Sequence, residues 1–191
     1  MKYTKLAVLA AFSVTALMGL GAVSASATTF EAGGSAKNEA IAITASLQPG
    51  TTLVMSNTPG WFANKCTASH MQGATTSPFT GPTVSTHLTT LTIAECTAPV
   101  TVHKPGTLEV VWSNGTSGTV FAEGTQLTVT ISGTTIFCAP GKTHFGTLTG
   151  VASGHATLDV NAVVNCGFLL PSLKVEAKYI VTSPTGLGVT S

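Results

Sequence analysis

"GTLTGVASGHATLDVNAVVNCG", residues 146–167, decides how the rest of the chain is read. Ser153, His155 and Asp159 lie close together in it, as the ingredients of a hydrolase would. Yet Ala156, Leu158, Val160, Ala162 and Val164 alternate there with His155, Thr157, Asp159 and Asn161. A period of two puts the apolar set on one face of a strand and the polar set on the other. At about 3.3 Å per residue, a straight strand holds His155 and Asp159 roughly 13 Å apart, too far for a direct hydrogen bond. "GVASG" also misses the Gly-x-Ser-x-Gly elbow by one position, and the helix that such an elbow opens is absent from the pattern. The stretch predicts a half-buried strand with a solvated polar face, not a catalytic triad.

The same period recurs in "AIAITASL" (40–47), "HLTTLTIA" (87–94), "TLEVVW" (107–112), "TVFAE" (119–123), "QLTVTIS" (126–132) and "SLKVEAKYIV" (172–181). Turn chemistry separates these runs: "SNGTSG" at 113–118 contains the hairpin pair Asn114-Gly115, and "TPG", "KPG" and "APGK" add further breaks. No helical period appears after the first 27 residues. Many short strands so punctuated predict an all-β fold, an antiparallel β-sandwich of Ig-like or jelly-roll-like type. "LTTLTIAECTAP" and "ATLDVNAVVNCGFLLP" each lead an alternating strand into a cysteine and a proline-containing connection. That parallel hints at an internal repeat, although strand grammar also produces it without duplication.

The chain opens with two lysines, an apolar run from Leu6 to Val23 and the small-x-small triplet Ala25-Ser26-Ala27. This reads as an export signal over 1–27, cut before Thr28, leaving 28–191 as a single β-sandwich domain. No later apolar run reaches spanning length, so no transmembrane segment is expected after cleavage. The remainder holds Lys37, Lys65, Lys104, Lys142, Lys174 and Lys178 against seven acids, and no arginine. Nucleic-acid binding requires a concentrated cationic face, which this balance does not supply. Threonine, serine and glycine carry the polarity instead.

Four cysteines in an exported chain predict two disulfides. Of the three possible pairings, Cys66–Cys96 with Cys138–Cys166 closes the nearest loops and makes them nearly equal. Without a Cys-x-x-Cys pair, zinc is not expected. His70, His87, His103 and His144 are scattered, with no metal-binding spacing, and "GKT" at 141–143 lacks the glycine and helix of a phosphate loop. No metal or cofactor is therefore expected. The acids Glu31, Glu39, Glu95, Glu109, Glu123, Asp159 and Glu176 would make a glycosidase pair only if two converged.

Trp61 and Phe62, in "SNTPGWFANKC", follow a Pro-Gly turn and belong to a loop. They are the candidate ligand-binding residues, able to stack on a sugar or anchor a protein, unless they cap the fold beside Cys66. Trp112 and Tyr179 lie in strands and read as core or core-edge residues. "TTSPFTG", "VTVHKPGTLEV", "GTLTGVASGHATLDVNAVVNCGFLLPS" and "YIVTSPTGLGV" resemble a group of small bacterial secreted proteins that carry no assigned activity. The resemblance implies a bacterial, exported origin and nothing about substrate.

These readings converge on a secreted or cell-surface, non-catalytic module of the bacterial envelope, with a glycan or a protein as partner. Two alternatives stand beside it. One is an extracellular hydrolase assembled from His103, His155 and Asp159. The other is a self-assembling surface or matrix component that pairs through exposed sheet edges.

Overall fold

The alternating stretches become strands. In chain order these are β1 (Thr29–Ala32), β2 (Ser35–Lys37), β3 (Ala42–Leu47), β4 (Leu53–Asn57), β5 (Ala63–Thr75), β6 (Val84–Cys96), β7 (Val100–Lys104) and β8 (Thr107–Asn114). There follow β9 (Ser117–Glu123), β10 (Gln126–Ile131), β11 (Thr134–Cys138), β12 (Thr143–Thr149), β13 (Thr157–Val164), β14 (Leu173–Ser183) and β15 (Gly188–Thr190). The structure, a computed structural model, describes residues 28–33, 35–37, 39–57, 60–76 and 81–191. The expected export signal, 1–27, lies outside the described residues. No helix occurs among those described, and none there is long and apolar enough to cross a membrane.

The sheet closes on itself, which corrects the expected sandwich. β3 and β4 lie end to end between β14 and β5, interrupted by a turn at 48–52 in which the Thr51 amide donates to the Gln48 carbonyl. Counting them as one wall strand, β3/β4, β5, β6, β8, β9, β12, β13 and β14 follow one another antiparallel around an eight-stranded barrel. The β13–β14 ladder, Thr157↔Ile180 through Val164↔Leu173, completes the ring.

Local alternation is common to sandwiches and barrels; closure is decided by register and by bends, which pair residues far apart in the chain. Register shifts fall at Gln72/Gly73, Trp112/Asn114, His144/Gly146 and Val181/Ser183, and such bulges bend a wall. At two of them a glycine lets strands approach closely. A Cβ on Gly73 would lie 2.4 Å from the His87 carbonyl oxygen, and one on Gly146 would lie 2.0 Å from that of Asp159.

Two small sheets close the ends. β15-β1-β2 sits at one end, where Phe30 and Leu187 are buried against the barrel interior. β11-β10-β7 covers the other, turning Val129, Ile136 and Cys138 inward. The buried apolar side chains of wall and caps form one cluster. Closure gives each wall strand a neighbour on both sides, although the β6–β8 ladder covers only Val84–His87 of β6.

Both disulfides pair as expected. Cys66–Cys96 joins directly opposed residues of the β5–β6 hairpin, whereas Cys138–Cys166 ties the β11 cap to the loop after β13. The two bridges occupy different structural settings, unlike the equivalent positions a simple repeat would give. Among the described residues, every buried side-chain polar atom has a hydrogen-bond partner. Asn64, fully buried, donates from Nδ2 to the Ala98 carbonyl and accepts at Oδ1 from Thr97 Oγ1 and the Ala98 amide, which fixes the turn after β6.

Tyr179 on β14 is buried against the interior, with its hydroxyl 2.8 Å from Ser69 Oγ on β5. Burial pushes its pKa up from 10.0 to about 12, against a smaller lowering by the Ser69 hydrogen bond. In the unfolded chain the phenol ionises near its ordinary value, so this group's contribution is full below pH 10 and is lost as pH rises through 12. Urea unfolding of the wild type should show a fall of roughly 2–3 kcal/mol across that window. Tyr179→Phe should lack that component; equal slopes for the two proteins would count against it.

Candidate functional site

The Ser-His-Asp stretch folds as a strand and its approach. β13 buries Leu158, Val160 and Ala162, as the alternation required, while Ser153 and His155 sit in the exposed segment before it. His155 Nδ1 donates to the Val181 carbonyl at 3.0 Å, and Asp159 forms a cross-strand ion pair with Lys178 at 3.2 Å. His103 lies at the opposite end of the barrel on β7, its ring 6.2 Å from that of Phe137 and its Nε2 3.2 Å from Thr128 Oγ1. The trio named for a hydrolase is thus held apart. Among the described residues no three His, Cys, Asp or Glu side chains gather to hold a metal.

Trp61 and Phe62 part company. The Phe62 amide donates to Asn57 Oδ1 at 2.8 Å, and the ring turns inward to 8% exposure. Trp61 stays 65% exposed, its ring tilted 55° to that of Phe62. Capping therefore describes Phe62 and presentation describes Trp61. Trp112, read as a core or core-edge residue, is 36% exposed just before the bulge at the end of β8, and its Nε1 donates to the Gly115 carbonyl.

Trp61 shares its barrel end with exposed apolar side chains that the sequence reading overlooked. The β4–β5 connection and the β13–β14 connection share one barrel end, because Asn57 pairs with Leu173. In the second connection the Leu170 amide donates to the Gly167 carbonyl and the Cys166 amide to the Leu170 carbonyl. This tight turn buries Cys166 and Leu170 and projects Phe168, 98% exposed, together with Leu169. Exposed Phe137 and Val163 flank the same disulfide-braced end. Gly167 and Pro171 around "FLL" were the available turn signal; the apolar run concealed it.

The interior is a second feature. Beneath the β11-β10-β7 cap lies a cavity of about 80 Å³ lined by Leu53, Met55, Met71, Leu88, Ala162 and Tyr179 among others. A smaller void of about 50 Å³ continues toward the other end and shares Met71, Leu88 and Leu108 with the first. Outside the wall, His87, Lys104, Thr107, Glu109 and Glu123 line an open groove. Lys142 forms an ion pair with Glu109 and lies 5.5 Å from the centre of the Phe121 ring.

No family model, curated protein or solved structure matches the chain.

Proposed function

We propose that this chain is an exported, non-catalytic binding module of a bacterial envelope, which docks on a protein partner through the apolar end of its barrel. One observation carries the reading. Of the six large apolar side chains exposed among the described residues, Trp61, Phe137, Val163, Phe168 and Leu169 lie at that end. Exposed apolar side chains gathered at one end of a fold suit an interaction site, and an aromatic held on a rigid turn anchors a partner at little entropic cost. A protein suits this surface better than a glycan, because Leu169 and Val163 offer neither a stacking ring nor a hydrogen bond. The nearby Lys174 is matched by Glu176 at 2.9 Å, which leaves apolar contact as the main source of affinity.

The test is the distribution of the protein between envelope and medium in an exporting bacterium. The wild type should be retained and the double variant Trp61→Ala/Phe168→Ser released, with at least a tenfold drop in the retained fraction. These side chains bury little in the fold, so melting should be nearly unchanged. Equal retention of two folded proteins would overturn the docking role.

A further inference from the structure

We propose that the barrel lumen binds a short neutral amphiphile, with an apolar group of about six carbons inside and a hydroxyl-bearing head in the outer groove. The two voids of about 80 and 50 Å³ lie in tandem along the lumen. Together they approach the roughly 150 Å³ at which an apolar cavity stays dry and takes up benzene. Met71 borders both. Its unbranched thioether side chain has three rotatable bonds, so it can move aside and join the voids without displacing the closed wall. Atoms facing an empty space lose dispersion contacts that an apolar guest restores.

The head is placed by the wall itself. β6 pairs with β8 only from Val84↔Val110 to His87↔Thr107, and the ladder between them stops there. There Leu88 and Glu123 border both the larger cavity and the groove. The groove carries charges of both signs: Lys104 and Glu123 both line it, and Glu109 is paired with Lys142. A charged head would meet a like charge beside an opposite one, whereas a hydroxyl can donate to Glu123 and accept from Lys104. Its lining shares no residue with the exposed docking side chains, so either assignment can fail alone.

The experiment titrates straight-chain alcohols into the full chain carrying ¹³C-methyl methionine, since Met55 and Met71 line the cavity. 1-Hexanol should shift both methyl resonances saturably. From butanol to hexanol, affinity should rise about fourfold per methylene and flatten once the lumen is full. Ala162→Leu, which fills the cavity, should weaken hexanol at least tenfold while retaining the wild-type circular dichroism. Should that variant fail to fold, the wild-type methyl shifts and the break in chain-length dependence still decide. Four results would overturn the proposal: no saturable methyl shift, affinity climbing steadily to decanol, undiminished binding by folded Ala162→Leu, or hexanoate binding as tightly as hexanol.

Discussion

Gly146→Val is expected to cost at least ~4 kcal/mol and to leave most of the purified protein unfolded at ambient temperature. Gly146 lies opposite Val160 on β13 and beside Val120 on β9, at the bulge that follows His144. An added Cβ would stand 2.0 Å from the Asp159 carbonyl oxygen, 2.9 Å from its carbon and 3.0 Å from Val160 Cα. All three are backbone atoms. β13 cannot retreat readily, since the ladder from Thr157↔Ile180 to Val164↔Leu173 fastens it to β14. Relief therefore means opening the seam where the ring closes, which exposes core on both sides. Gly141→Ala is the matched control: nothing lies within 4 Å of its would-be Cβ, so its urea midpoint should barely move. A Gly146→Val protein as stable as that control would contradict the β12–β13 register.

The second large effect is expected from Cys138→Ser/Cys166→Ser. The two disulfides have sequence separations of 30 and 28, so their restriction of the unfolded chain is almost the same, roughly 3–4 kcal/mol each. Differences between the two deletions must then arise in the folded state. Cys66–Cys96 spans strands that already share the β5–β6 ladder, whereas Cys138–Cys166 fastens a cap to the mouth of the lumen. Loss of the latter should therefore speed amide exchange throughout β10 and β11 by at least tenfold under native conditions. Cys66→Ser/Cys96→Ser should confine its effect to the end of the hairpin. Indistinguishable exchange maps would mean that the cap is held by its packing alone.

Periodicity exposed the strands whose buried faces are uniformly apolar, such as β10 and β13. It failed on β5, whose inward set mixes Asn64, Cys66, Ser69, Met71 and Thr75, so polar residues interrupt the alternation. It failed on β12 as well, where the bulge shifts the phase between Phe145 and Leu148. The barrel was invisible for a related reason. What bends and seals the wall is the close approach of Gly73 to His87 and of Gly146 to Asp159, contacts that no local pattern encodes. Trp61 could be read as a loop aromatic from Pro59-Gly60, yet its placement at the same barrel end as Phe168 depends on Asn57 lying opposite Leu173, more than a hundred residues away. The lumen depends on all eight wall positions at once and leaves no mark in any single segment.

The first and last strands of the described structure, β1 and β15, are hydrogen-bonded partners, with Thr29 opposite Thr190. Any load attached beyond either strand therefore hangs from the same pole of the barrel, while the tryptophan and phenylalanine tips occupy the other, roughly 20–25 Å away for strands of this length. A fluorescent domain or a surface tether joined after Ser191 would hold the barrel like a handle. The apolar pole would face outward, free to make contact.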